Sequence, residues 1–287
     1  MSFFESLGKL DRRWVFLTIA LAVIVPLLLQ FRPPTTPTPI VKNIFDKVEA
    51  LPENSRILVS ADYGPSTIPE NQPMLEAVCR HALHLGHRLY LISLWAPGPP
   101  MLESMVTNVI NRDFPDVEYG VDYVNFGYKA GNQGVINGAY TDFQDQFPVD
   151  ARGSEVSTIP MMSEIARLED FHLLVAIGSG FPGVKEWIQF GGDRARIPVA
   201  GGVTAVEAPL LYPYYPNQLL GLMGGLQGAA EYEAALVEKY PRYEVSSTQA
   251  MQRMGPQTVA HLVIIFFVII GNLSYFMGRR AERARLG

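Results

Sequence analysis

Two uncharged apolar runs, one near each end of the 287-residue chain, constrain everything between them. Trp14 to Leu29 (WVFLTIALAVIVPLLL) is bounded by Asp11-Arg12-Arg13 on one side and Arg32 on the other. A helix rises ~1.5 Å per residue, so this run reaches roughly 24–27 Å, slightly less than a ~30 Å hydrocarbon core, and Phe31 with snorkelling Arg side chains would complete the crossing. No small-x-small cleavage pattern follows Leu29, where Gln30-Phe31-Arg32-Pro33-Pro34 stands, so the run reads as an uncleaved signal anchor. Val259 to Met277 (VAHLVIIFFVIIGNLSYFM) is the stronger span: nineteen residues without a carboxylate, Lys or Arg, with Arg279-Arg280 directly after it.

Cations sit outside the two runs. Lys9, Arg12 and Arg13 precede the first, and Arg279, Arg280, Arg283 and Arg285 follow the second, whereas the inner flanks offer only Arg32, Lys42 and Arg253. Lys and Arg collect on the cytoplasmic side of a membrane, which puts both termini in the cytoplasm and residues 32–258 in a periplasm, lumen or extracellular space. The organisation expected is a cytoplasmic N-terminus (1–13), a transmembrane helix (14–31), a Pro-rich linker (32–39), an extracytoplasmic α/β domain (40–239), a tether (240–258), a second transmembrane helix (259–277) and a basic cytoplasmic tail (278–287). The bilayer is the first partner this implies. Gly271, Asn272 and Ser274 are small or polar residues of the kind that face another helix in lipid, so a membrane-protein partner or a homo-oligomer is the second.

The net charge is −5, with both ends basic, so the stretch between them is strongly acidic. Nucleic acid is a poor partner for such a body, because phosphate attraction starts that kind of binding. Cys79 is the sole cysteine and has no partner for an internal disulfide, so the domain depends on its hydrophobic core, with Cys79 a small buried residue on a helix. Four prolines within Arg32–Pro39 favour an extended spacer of roughly 25 Å.

Within 40–239, β-branched apolar runs alternate with amphipathic stretches. Strands are expected at 56–61, 89–94, 121–127, 171–177 and 198–205. Helices are expected at 73–86, 101–112, 131–143, 160–168 and 183–190, with a long final one at 217–239. Strands separated by helical stretches form right-handed βαβ units, which gives a doubly wound α/β fold with a mostly parallel sheet of about five strands, flanked by the two transmembrane helices. The fully apolar FHLLVAI at 171–177 suits a sheet buried on both faces.

Ligands bind such sheets beyond the carboxyl ends of the strands. The loops there supply Asp62, Tyr63, Ser66 and Thr67 after the first strand, Asn125, Lys129 and Asn132 after the third, Gly178, Ser179 and Gly180 after the fourth, and Thr204 after the fifth. Asp62, Lys129 and Ser179 are the catalytic candidates. Gly178-Ser-Gly-Phe-Pro-Gly183 fits the G-x-G-x-x-G spacing of a phosphate cradle, but Pro182 removes a backbone donor and no acidic residue stands clearly at the next strand tip. Lys185 lies one position late for a P-loop, and Ser179 lacks the G-x-S-x-G frame of a nucleophile elbow. His81, His84 and His87 recur every three residues and form a weak metal candidate, against which stands the ordinary preference for cationic residues in a helix's last turn. Tyr212, Tyr214 and Tyr215, stiffened by Pro213 and Pro216, make a candidate contact surface for a partner.

No catalytic signature is complete, and no cofactor is implied. The expected role is a partner- or ligand-binding component of a membrane assembly. An extracytoplasmic hydrolase or transferase is the alternative, and nucleotide binding at Gly178–Gly183 a second one if the domain faces the cytosol.

Overall fold

The computed structural model describes residues 11–286, which divide into two units: Thr35–Met251, and a second made of the segments before and after it, with Pro34 and Gln252 at the junctions.

The α/β unit begins with helix α2 (Pro39–Glu49), which follows α1 (Arg12–Leu28) of the other unit. Six strands follow: β1 (Arg56–Asp62), β2 (Arg88–Ser93), β3 (Tyr123–Tyr128), β4 (Leu173–Gly178), β5 (Val199–Val203) and β6 (Gly221–Gly224). Every pairing is parallel, and the spatial order is β3-β2-β1-β4-β5-β6. The connecting helices are α3 (Ile68–His84), α4 (Pro99–Met105), α5 (Gln133–Thr141), α6 (Val184–Glu186) and α7 (Ala208–Leu211), and α8 (Gly225–Lys239) closes the unit. α4 and α6 each continue into a π-helical turn, Val106–Ile110 and Trp187–Gly192. The expected doubly wound α/β architecture is therefore present.

Strand β4 shows why the sheet is central. Leu173, Leu174, Val175, Ala176 and Ile177 are all fully buried, each large aliphatic side chain contributing about 1.5–3 kcal/mol through its removal from water. Cys79 is likewise buried in α3.

Three expectations need correction. The sheet has six strands, because the run read as one helix from 217 begins with β6, in register with β5 from Ala200↔Gly221 to Val203↔Gly224. Its glycines serve close approach: a Cβ on Gly221 would meet the Ile40 carbonyl, and Gly225, at φ +61°, turns the chain from strand to helix. The stretch 160–168 holds a 3₁₀ turn over Pro160–Glu164 and not a full helix, since Gln133–Thr141 already provides the crossover from β3. The segment from 240 is polar but not loose: Tyr243, Ser247, Thr248 and Ala250 are buried, and the last helix, α9 (Gln249–Leu286), starts within it.

The stretch Gln249–Met277 of α9, which begins in the α/β unit and continues in the other from Gln252, is 29 residues and is long and apolar enough to cross a membrane. Among the described residues it is the one helix that meets this measure, where the sequence suggests two. α1 has 17 residues, about 26 Å, and ends before Gln30, which takes φ +50°. The two segments meet where Gly255 of α9 lies against Phe31, and a Cβ on Gly255 would collide with the Phe31 carbonyl oxygen. A Cβ on Gly271 would meet open space. Asn272 Nδ2 donates to Val268 O of its own helix at 2.8 Å.

Candidate functional site

The strand order reverses between β1 and β4, so the crevice beyond their carboxyl ends is where this fold accepts ligands. Asp62 ends β1 there, opposite Gly178. Its carboxylate is fully buried and fully engaged: Oδ1 accepts the Leu94 N–H at 2.6 Å, and Oδ2 accepts Ser60 Oγ at 2.7 Å and Trp187 Nε1 at 2.9 Å. Burial pushes its pKa up to about 6 against the pull of those three donors, and nearby Glu186 adds to the rise. Asp62 thus ties the end of β1 to the loop after β2 and to the helix after β4.

The other candidates spread along this edge. Tyr63 is buried and donates to Gln72 Oε1 at 2.7 Å. Ser66 is exposed, and Thr67 Oγ1 donates to Gly64 O at 3.4 Å in the same 3₁₀ turn. Asn125 lies within β3, its Oδ1 taken by the Gly127 N–H at 2.9 Å, while Asn132 is exposed at φ +52° ahead of α5. Lys129 and Ser179 are partly exposed. The Ser179 N–H donates to the Asp62 carbonyl at 3.2 Å, and the Lys129 N–H to the Ser93 carbonyl at 2.9 Å. Among the described residues, neither the Lys129 ammonium nor the Ser179 hydroxyl bonds to the Asp62 carboxylate, so these three side chains form no hydrogen-bonded catalytic group.

The Gly178–Gly183 turn leads from β4 into α6 as a cradle would, and side chains of the chain itself occupy it. Gly178 O accepts Asn71 Nδ2 at 3.1 Å, and Gly180, at φ +156°, lies under Trp95. The Gly183 N–H, a donor an anion would use, goes to Glu186 Oε2 at 2.9 Å. After β5, the Ala205 N–H goes to Glu70 Oε2 at 2.9 Å, and Thr204 O accepts the Glu207 N–H at 3.1 Å. Glu207 is half-buried with Oε2 enclosed and unbonded, and burial together with Glu186 raises its pKa to about 7. Glu186 thus holds one of the backbone donors that a phosphate in this turn would use.

Trp187, Glu186 and Glu207 belong to this edge as well, beyond the site residues the sequence singles out. The Thr204-x-x-Glu207 spacing, a helix-start signature, was the available signal for the last. Nothing in the sequence marks Trp187, because its role depends on a residue 125 positions away.

No family model matches the chain, and no curated protein matches it. Among solved structures, one described as trehalose-6-phosphate synthase OtsA is similar at 10% identity and a TM-score of 0.30, over 89% of this chain and 48% of that one. This chain thus spans about half the length of that structure.

The histidines are committed elsewhere. His81 is buried between Tyr232 OH at 2.8 Å and Glu49 Oε1 at 3.1 Å, His84 Nδ1 meets Tyr243 OH at 3.0 Å, and His87 Nε2 meets Val48 O at 3.2 Å. Among the described residues there is no His/Cys/Asp/Glu group able to hold a metal.

The tyrosines part company. Tyr214 OH accepts Gln189 Nε2 at 2.7 Å and Tyr215 OH accepts Asn43 Nδ2 at 3.0 Å, both within their own unit. Tyr212 is 54% exposed, and beside it in sequence Leu210 is 69% and Val206 88% exposed. Phe181, on the loop after neighbouring β4, is 62% exposed. The carboxyl ends of β4 and β5 are therefore rimmed by large apolar side chains that nothing in the unit covers.

Proposed function

We propose that this chain is a membrane-anchored α/β component that docks a partner protein on the carboxyl edge of its sheet. The observation that carries the reading is the exposed set Phe181, Val206, Leu210 and Tyr212, since large apolar side chains grouped at one edge of a soluble domain mark interaction surfaces. Tyr212 is an anchor of the kind interfaces favour, and the prolines of its loop lower the entropy lost on docking. Tyr214 and Tyr215 support it by fixing the loop.

In this reading α9 spans the bilayer and α1 enters it as a signal anchor, with Arg12, Arg13 and Arg32 completing the shorter crossing. The basic flanks then favour cytoplasmic termini and an α/β unit on the far side. Because Cys79 is buried and burial raises its thiol pKa, it is a silent background for labelling. Val245, 94% exposed, is a suitable reporter once replaced by cysteine. In sealed vesicles of known orientation, Val245→Cys is expected to react with a membrane-impermeant maleimide from the extracytoplasmic side only; reaction from the cytoplasmic side would reverse the topology. For the partner, extraction in mild detergent is expected to yield an assembly larger than one chain, and a lone monomer with no cross-linked neighbour in membranes would remove this reading.

The second reading, a hydrolase or transferase, is favoured by one feature: on the loop after β5, Glu207 keeps one carboxyl oxygen, Oε2, enclosed and unbonded, and its pKa is raised to about 7, which suits a general acid or base. Hydrolysis of model ester or glycoside substrates that disappears in Glu207→Gln would support it, and turnover unaffected by that change would count against it.

A further inference from the structure

Within the α/β unit, the first residues of α9 are seated on a buried carboxyl. Glu233, on α8, is 1% exposed and accepts the Met251 N–H at 3.0 Å, with the N–H groups of Gln249 and Ala250 also directed to it. These are three of the four donors that a helix leaves unsatisfied at its start. Around this cap, Ser247, Thr248 and Ala250 are buried, and Gln249 Nε2 donates to Glu76 Oε2 at 3.0 Å. The head of α9 is thus seated in the unit by a side chain that water does not reach.

The ionisable groups on the elements packed here are few and mostly occupied. Arg80 of α3 donates to Asp113 Oδ2 at 2.7 Å, Arg112 donates to Ser246 O at 3.3 Å, Glu76 accepts from Gln72 and Asn108 as well as Gln249, and Tyr243 OH meets His84 and Arg242. Arg80 is the nearby cation that favours ionised Glu233, but its guanidinium serves Asp113 and two backbone carbonyls. The helix start also favours the anion. Burial outweighs both and raises the Glu233 pKa to about 7.

We propose that Glu233 is a proton-operated latch: with its carboxyl neutral the head of α9, Gln249–Met251, stays docked on α8, and as the carboxyl ionises the docked state loses ground to an open one in which Glu233 reaches water. The sign follows from linkage. A carboxyl whose pKa is higher docked than in water binds its proton more tightly when docked, so docking is strongest in acid and weakens as pH rises through neutrality.

The test is amide hydrogen exchange of the full-length protein in lipid nanodiscs, corrected for the intrinsic pH dependence of exchange. Protection at Gln249–Met251 is expected to fall roughly 30-fold between pH 5.5 and 8.5 in the wild type, and less than about 3-fold in Glu233→Gln, which stays neutral throughout. Constant wild-type protection, or the same fall in the glutamine variant, would overturn the latch. If the variant does not fold, the wild-type titration still decides. A fall confined to Gln249–Met251, with the α3 amides unchanged, supports the latch, and a fall shared by the whole unit overturns it.

Discussion

Glu231 and Glu233 stand two residues apart on α8, and their buried carboxylates hold the two places where the chain enters and leaves the α/β unit. Glu233 caps the head of α9, while Glu231 Oε2 accepts the Thr38 N–H at 2.9 Å and Thr38 Oγ1 at 2.5 Å, at the start of α2. One helix therefore carries both junctions. Glu231→Ala would leave the two Thr38 donors unmatched, at a cost of about 2 kcal/mol. Urea unfolding of the α/β unit should register it, with Glu231→Gln milder because it keeps one acceptor.

Asp62 makes a comparable prediction at the other end of the sheet. Asp62→Ala strands the Leu94 N–H, Trp187 Nε1 and Ser60 Oγ, three buried donors, so a loss on the order of 3 kcal/mol is expected in chemical denaturation. Lys129→Ala and Ser179→Ala, at partly exposed positions, should change stability by less than about 0.5 kcal/mol. Equal losses at all three positions would mean that Asp62 is not the tie described.

His81 gives the pH dependence with the opposite sign from Glu233. Burial depresses its pKa to about 4, against the opposing pull of Glu49. The native state therefore prefers the neutral ring. The associated stability is present above pH 6.5 and is lost as pH falls toward 4, by about 2 kcal/mol at pH 4.5. Urea midpoints of wild type and His81→Gln, compared at pH 7.5 and pH 4.5, should show a smaller acid loss in the variant.

Two glycines of α9 should behave differently. Gly255→Leu puts a side chain against the Phe31 carbonyl and should lower the thermal stability of the detergent-solubilised protein by several degrees. Gly271→Ala fills open space within a helix and should be neutral or slightly stabilising.

How much of this was legible in the sequence depended on how local each signal is. Runs such as Phe171–Ile177 carry their strand in composition alone, and alternation with amphipathic helices led correctly to a doubly wound sheet. β6 was missed because Gly221-Leu-Met-Gly224 offers no strand pattern of its own; its pairing with β5 and its fit under Ile40 exist only once the sheet is assembled. The tether expected over 240–258 is cut short, because α9 begins at Gln249 and runs on through Gly255-Pro256. Asp62 could be placed at the strand end but not recognised as filled, because two of its three donors, Leu94 and Trp187, lie 32 and 125 residues away. The tyrosine triplet divided for the same reason: partners on Gln189 and Asn43 are invisible in the local spacing.

Docking on the carboxyl edge is tested most directly by a photo-crosslinking amino acid placed in turn at Val206, Leu210 and Tyr212, and at exposed Val149 as a control, in intact membranes. The account predicts a discrete cross-linked protein species from the three edge positions, absent at the control and abolished by Phe181→Arg. Cross-linking that is absent from the edge, or equal at the control position, would contradict it.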